Sequence, residues 1–515
     1  MTMKIMVQGT MSNSGKSFLV AALCRIFRQD GYRVAPFKSQ NMALNSYITA
    51  DGLEIGRAQA MQAEAAKIAP TVDMNPILLK PTSQMGSQVI INGEVYGNLK
   101  AMDYYRRKTE FIPAVRQAFG RLSGQYDVIV LEGAGSPAEI NLRENDIVNM
   151  GMAKMAEAPV LLVGDIDRGG VFASLYGTVS LLEPEERAMI KGLVINKFRG
   201  DVKILEPGLR MIEERLHIPV IGVIPMEDID IDDEDSLSER LTRTGDQSSR
   251  RENAGEPRVD QKLDIAVVHL PHISNFTDFS VLERHAGVGL RYVERVSQLK
   301  KPDLLILPGT KNTMSDLAWL RESGLEPALC RLVEEAGIPI IGICGGYQML
   351  GSFLRDPDGI EGEAGSCMRG MGLLDAETTF TGRKTRTQIS GRLSDGSRMF
   401  EGCGGTVLHG YEIHMGRTVL QRHGGTGAVL LEDGRLDGME RSDGLVFGSY
   451  LHGLFDNETL TEALLARLAE KKGISLELGS ETTGEYKERQ YDKLADLVRG
   501  SLDMERVYRI LKQGI

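Results

Sequence analysis

Residues 4–17 read KIMVQGTMSNSGKS, and this stretch decides the fold of the N-terminal half. The apolar run Lys4–Gly9 has the length of a buried strand. It passes into Gly9-Thr10-Met-Ser-Asn-Ser14-Gly15-Lys16-Ser17, and the stretch after it carries apolar residues at helical spacing. Strand, glycine-bounded loop, Lys-Ser and helix in this order make a phosphate loop. The glycines let backbone N–H groups turn onto phosphate oxygens, and the helix start adds favourable potential for an anion. Gly9, Thr10, Ser14, Gly15, Lys16 and Ser17 are therefore the expected ATP- and phosphate-binding residues. Lys16 would reach the β/γ-phosphates and the Ser17 hydroxyl would sit on Mg²⁺. A Gly/Ser turn before a helix is the plain alternative.

Outward from this loop the first half alternates. Apolar runs at Asp127–Glu132, Pro159–Gly164, Gly192–Asn196 and Pro219–Ile224 predict further buried strands. Helical periodicity at Gly15–Arg28, Glu54–Ala69, Asp103–Phe119 and Val202–Leu216 falls between them. This is the pattern of an open α/β sheet with helices on both faces. Ligands of such sheets bind outside the carboxyl ends of the strands. Glu132 ends one strand and is the candidate metal ligand with Ser17. Asp165 and Asp167 end another, where they would bind metal or substrate or form a salt-bridged turn. Asn196 ends a third, where it could meet the adenine edge.

Residues 227–261 have almost no large apolar side chains and predict a polar, acidic linker. A second α/β series follows, with strands expected at Leu263–Leu270, Leu290–Val296, Asp303–Leu307 and Ile338–Ile343. Past Arg369 the pattern predicts short strands and glycine turns. After Asp456 it predicts helices, at Glu458–Lys471 and Tyr491–Lys512. The organisation expected is thus 1–226, a linker at 227–261, a second domain at 262–456, and a helical extension at 457–515. The fold class is α/β: two open, mostly parallel sheet domains flanked by helices, with a short helical C-terminal extension.

The strand Ile338–Ile343 ends at Cys344, followed by Gly345-Gly346-Tyr347-Gln348. Small neighbours at 342 and 346 suit a tight strand-to-helix turn that exposes a nucleophile. The helix start favours a thiolate and supplies N–H donors for an oxyanion. Among eight histidines, His452 stands at the end of a short apolar strand and is the expected base, with His414 its rival. The glycine turn at Gly309, with the N–H of Gly345, would complete an oxyanion hole.

The chain has 515 residues, with 60 Lys+Arg against 71 Asp+Glu, a net charge of −11. That balance argues against a broad nucleic-acid-binding face. No apolar run reaches the ~18 residues of a membrane span, and the N-terminus lacks the form of a signal peptide. Five cysteines without a CxxC pair point to a reducing, cytoplasmic setting rather than a disulfide framework or structural zinc.

The five-residue spacing between Gly9 and Gly15 resembles dethiobiotin-synthetase-like ATPases. The Gly342-x-Cys344-x-Gly346-x-Gln348 elbow with a late His resembles class I (triad-type) glutamine amidotransferases. Their His is usually followed two residues later by Glu; here that residue is Leu454, as in the cobyric/cobyrinic-acid branch, which leaves Glu412 and Asp456 as candidates to orient His452. PFKSQNMALNS (36–46), EIGRAQ (54–59), MNPILLKP (74–81) and GDIDRGGV (164–171) resemble the cobyric acid synthase family over residues 3–456. The resemblance implies amidation of four peripheral carboxylates of adenosylcobyrinic acid a,c-diamide, with ATP, Mg²⁺ and glutamine. It also implies a shielded passage for ammonia. Lys38, Gln40, Asn41, Asn45, Asp165 and Asp167 are the candidates for binding the corrinoid. Oligomeric state is not legible. The alternatives are the earlier a,c-diamide synthase, or a partition-type regulatory ATPase with a non-catalytic thiol domain.

Overall fold

In the computed structural model, which describes residues 2–83, 86–232, 262–421, 425–479 and 481–515, the chain clusters into two units. One comprises Met1–Ala43, Leu53–Glu234 and Gly484–Ile515; the other comprises Leu44–Gly52 and Asp235–Thr483.

The first unit is built on a six-stranded sheet. Its strand order is Val220–Pro225, Ile190–Phe198, Val160–Asp165, Met3–Gly9, Val128–Glu132 and Val34–Phe37. Every neighbouring pair is parallel. Parallel strands need helical crossovers and have both faces covered, which is why these segments read as continuous apolar runs rather than alternating ones. Gly9, Glu132, Asp165 and Asn196 consequently arrive at one sheet edge. One face is covered by the helix Lys16–Gln29, whose Leu23 and Phe27 pack with Ile5 and Val7 of the central strand.

The same core holds Leu494, Val498 and Val507 from the helices Thr483–Ser501 and Met504–Gln513. Arg25, buried, pairs with Glu488 at 2.7 Å and Asp492 at 2.8 Å. The C-terminal stretch is therefore no single extension. Glu458–Lys472 belongs with the second unit, and Gly484–Ile515 forms part of the first unit's core. Leu494→Ala should lower the unfolding free energy of that unit by about 2–5 kcal/mol, read from a denaturant midpoint. A surface tail would leave the midpoint unmoved.

Three other expectations are corrected. The helix predicted over 54–69 starts at Arg57, after a short strand Glu54–Gly56. The one predicted over 103–119 is broken into Ala101–Arg107 and Ile112–Ser123, the second opening on Pro113, whose missing N–H costs nothing at a helix start. A second, four-stranded sheet was not anticipated: Gln40–Met42, Ile77–Ser83, Gly86–Ile91 and Glu94–Lys100. Its turn Asn92-Gly93 has φ of 49° and 78°. Asn-Gly between apolar runs is the strongest short hairpin signal, so this one was legible. Of the linker, residues 233–261 lie outside the described residues; Asp232 just before them pairs with Arg57 at 2.5 Å.

The second unit carries an 11-stranded sheet. Five strands are parallel, in the order Val288–Val293, Leu263–Val268, Leu304–Leu307, Ile340–Ile343, Val446–Ser449. A mostly antiparallel half continues from the last of these. Where short strands were expected, Ala376–Leu393 and Val407–Leu420 form a long antiparallel pair, with a register shift between Thr379 and Lys384 absorbing the irregularity. No helix among the described residues is long and apolar enough to cross a membrane.

Candidate functional site

In the first unit the loop after Met3–Gly9 turns tightly. A Cβ on Gly9 would lie 2.1 Å from Ser14 Oγ, and Gly15 has φ 94° with Asn196 Nδ2 2.0 Å from where its Cβ would be. Gly15 thus requires glycine, and a side chain at Gly9 would displace Ser14. Lys16 Nζ donates to the carbonyls of Met11 (3.0 Å) and Gly135 (3.2 Å). The hydroxyls of Thr10 and Ser14 and the side-chain oxygens of Gln8 and Gln62 are buried and make no hydrogen bond. An unmade buried polar bond costs about 1–3 kcal/mol, so four in one place point to a polar ligand.

Glu132 is the hub of this edge. It accepts from Ser17 Oγ at 2.8 Å, Lys38 Nζ at 2.8 Å and Gln62 Nε2 at 2.5 Å. Ser17 Oγ and the Glu132 carboxylate are the groups that would hold an ion at this edge. Among the described residues no group of three or more His, Cys, Asp or Glu could hold a metal. One hydroxyl and one carboxylate nonetheless suit Mg²⁺, which takes few protein ligands and fills its shell with phosphate and water.

Several residues given roles from the sequence have partners within the protein. Lys38, expected on the corrinoid, is paired with Glu132. Asn196, expected on adenine, donates from Nδ2 to the Ser14 carbonyl at 3.0 Å and so pins the phosphate loop. Asp165 pairs with Lys197 at 2.9 Å and accepts from the Asp167 amide, while Asp167 pairs with Arg199 at 2.9 Å. These two acids thus have the ion pairs of a salt-bridged turn. Gln40 accepts from Tyr104 Oη at 2.5 Å, and Asn41 donates to Gln59 at 3.1 Å.

In the second unit Cys344 sits at φ 52°, ψ −108°, between the strand Ile340–Ile343 and the helix Gly345–Leu350. A bulky residue rarely adopts this backbone, and such strain gathers at functional positions. The turn is possible because its neighbours are glycines: a Cβ on Gly346 would lie 1.9 Å from the Leu307 carbonyl oxygen. Gly345 opens the helix, so its N–H is one of the orphan donors of that end. Gly309 packs against His452, whose Cε1 lies 3.3 Å from where a Gly309 Cβ would be.

His452 is buried and interacts with the Cys344 sulfur on one side. On the other, Nδ1 is 2.7 Å from Asp278 Oδ2. The sequence-based candidates for this role are corrected: Glu412 pairs with Arg435 at 3.1 Å, and it is Asp278 that holds the ring. Asp278 lies 174 residues upstream in the short helix Phe276–Phe279, too far for any motif around His452 to reveal. Burial alone would depress the His452 pKa, but the Asp278 carboxylate and the Cys344 sulfur overcome it and raise it from 6.5 to about 10. His414 is a different group. Its ring stacks on Tyr450 at 3.6 Å, Nδ1 contacts the Gly416 carbonyl, and burial depresses it to about 3.

Beside the thiol, Thr313 Oγ1 donates to Gln348 Oε1 at 2.9 Å and lies 3.2 Å from the Glu361 carboxylate. Gln348 Nε2 donates to Tyr450 Oη and to the Met415 carbonyl, both at 3.0 Å. Desolvation pushes Glu361 up to about 7 despite its bond from the Met314 amide. Thr313, Glu361 and Tyr450 were not singled out from sequence.

A model of the CobQ/CobB/MinD/ParA nucleotide binding domain matches residues 5–237, and one of the CobB/CobQ-like glutamine amidotransferase domain matches residues 264–460. A protein of Lachnoclostridium phytofermentans named cobyric acid synthase is 54% identical over 100% of both chains. The chain belongs to the cobyric acid synthase family. Family members so named from Ruminiclostridium cellulolyticum and Yersinia enterocolitica are 52% and 51% identical, over 100% of this chain and 98% and 99% of theirs. Cobyric acid synthase relatives thus run the full length of both units, C-terminal helices included.

Asp278→Asn tests the His452 contact. Removing the carboxylate charge should cut glutamine hydrolysis about 10²-fold or more, because the ring loses both its orientation and its partner for positive charge. The same change alters stability. A raised histidine pKa contributes stability that is complete below pH 6.5 and is lost as pH rises through about 10. The denaturation midpoint of the unsubstituted protein should therefore fall between pH 6.5 and 10 relative to that of Asp278→Asn.

Proposed function

We propose that this protein converts adenosylcobyrinic acid a,c-diamide to adenosylcobyric acid, amidating carboxylates b, d, e and g with ATP and glutamine. The observation that carries this reading is the Cys344–His452–Asp278 array in a chain that also holds the phosphate loop ending at Lys16-Ser17.

The Cys344 sulfur attacks the side-chain carbonyl carbon of glutamine. The oxyanion faces the N–H of Gly345 and of Gly309, and the C–N bond breaks as His452 protonates the departing nitrogen. Water, deprotonated by His452, then attacks the thioester, and glutamate leaves with the sulfur restored. Gln348 and Glu361, joined through Thr313, are the groups assigned to glutamine's amino-acid end.

A carboxylate is a poor electrophile because ammonia cannot expel oxide. A corrin carboxylate oxygen therefore attacks the γ-phosphorus of ATP, ADP leaves, and an acyl phosphate forms. Ammonia attacks its carbonyl carbon, and phosphate leaves. Lys16 and the loop amides neutralise charge on the transferring phosphoryl group. Ser17 and Glu132 would hold Mg²⁺, which when bound adds positive charge at the phosphates. Asn45, whose side-chain oxygen and nitrogen are both buried without a hydrogen bond, is assigned to a corrin amide or carboxylate. Five unpaired cysteines support a cytoplasmic, reducing setting.

Mass spectrometry of the corrinoid after reaction decides among neighbouring activities. Four new amides on the a,c-diamide are expected. Two new amides on unamidated cobyrinic acid would assign the earlier diamide synthase instead. Nucleotide-dependent dimerisation without glutamine hydrolysis would assign a regulatory ATPase.

A further inference from the structure

We propose that Tyr411 and Asn275 are positioning residues of the thiol site, holding His452 and Asp278 in register with the segment Leu44–Gly52. This rests on the glutamine-hydrolysing role proposed above. The Tyr411 ring lies parallel on the His452 imidazole, with centroids 5.2 Å apart and planes at 15°. The two residues also exchange backbone hydrogen bonds, His452 N to Tyr411 O at 2.9 Å and Tyr411 N to His452 O at 3.2 Å. Asp278 takes care of one ring edge and Cys344 the other, so Tyr411 governs what remains, the tilt of the ring plane.

The hydroxyl of Tyr411 accepts from Asn275 Nδ2 at 2.7 Å and donates to the Ser46 carbonyl at 3.3 Å. Asn275 reaches the same peptide twice more. Nδ2 donates to the Ser46 carbonyl at 3.2 Å, and Oδ1 accepts from the Ser46 amide at 3.4 Å. Asn275 itself stands at φ 52° and accepts from the Asp278 amide through its carbonyl, at 3.1 Å. Both groups that hold His452 are thus tied to one peptide, that of Ser46.

That peptide has an unusual place in the chain. Leu44–Gly52 belongs to the second unit, while the chain on either side of it belongs to the first. Three residues before Ser46, the Ala43 amide donates to Leu79 in the first unit's smaller sheet, and Lys38 further back holds Glu132. Asn45 is joined directly to Ser46, so a ligand that draws Asn45 onto itself displaces the Ser46 peptide, and with it Asn275 and Tyr411. The buried, unengaged side chain of Asn45 gives an amide- or carboxylate-rich ligand a handle on this segment.

The test is the ratio of glutamine hydrolysis with ATP and adenosylcobyrinic acid a,c-diamide to hydrolysis without them. In the unsubstituted protein this ratio should exceed one. Tyr411→Phe keeps the ring on His452 but removes the hydroxyl link, and Asn275→Ala removes the clamp on Ser46. Each should reduce the ratio about fivefold or more, the scale of an ordinary coupling free energy. Amide formation from ammonium salts, measured alongside, should persist in both. Should Asn275→Ala misfold, the conservative Tyr411→Phe decides. An unchanged ratio in a folded variant, or no stimulation in the unsubstituted protein, overturns the link alone. Failure of the unsubstituted protein to form amides even from ammonium overturns the amidation function, and the link with it.

Discussion

Cys344→Ala abolishes amide formation from glutamine and leaves amide formation from ammonium salts near its original rate. In the proposed mechanism the sulfur displaces nitrogen from glutamine; without it His452 would have no nucleophile to serve, and the loss should be about 10⁴-fold or greater. The phosphate loop, Glu132 and Lys38 make no use of the thiol, so priming of the corrin carboxylate continues. Alanine fits the elbow in volume. It gives up the thiol contact to the Ile413 carbonyl, 3.5 Å away, and the interaction of the sulfur with His452. Assays of corrinoid product with each nitrogen source, at matched free ammonia, give the answer. Continued use of glutamine would falsify the role of Cys344.

The second large effect lies in the other unit. Lys16→Ala should remove amide formation from both nitrogen sources, by about 10³-fold, because the transferring phosphoryl group loses a charge partner that no other residue of the loop supplies. Lys16 is held by two carbonyl oxygens, of Met11 and Gly135, whose bonds are readily exchanged for phosphate oxygens. Glutamine hydrolysis should survive at its unstimulated level. Product formation, corrinoid-dependent ADP release and glutamate release, measured together, separate the two chemistries. Synthesis from ammonium at an undiminished rate would remove Lys16 from the mechanism.

The two variants divide the protein by chemistry, and the division follows what could be read locally. The phosphate loop was legible because strand, turn, Lys-Ser and helix are consecutive. The thiol elbow was legible for the same reason, and the left-handed backbone of Cys344 explains why its neighbours must be small. His452 could be placed at a strand end, but its partner could not. Asp278 comes from another crossover, and only the parallel order of Leu263–Val268, Leu304–Leu307, Ile340–Ile343 and Val446–Ser449 brings those loops to one edge. The acids at 165 and 167 show what strand-end position does not reveal: Lys197 and Arg199, one strand over, pair with them.

The C-terminal helices make a similar point about packing. Their amphipathic spacing predicted helices, and Thr483–Ser501 and Met504–Gln513 are helical. Which apolar surface their buried stripe would meet is not a property of the stripe. It is met by Leu23, Phe27 and the central strand, more than 450 residues away in sequence for Phe27 and Leu494.

By itself the sequence determined the α/β class, the pattern of the phosphate loop and the cysteine elbow, because each is written in short-range spacing or in runs of one chemical character. Tertiary structure alone decided that Asp278 orients His452, that Lys38 and Gln62 close on Glu132, and that Leu44–Gly52 sits against the thiol unit. Those are contacts between segments far apart in the chain, and they exist only once the burial of apolar faces has chosen which strands and helices become neighbours.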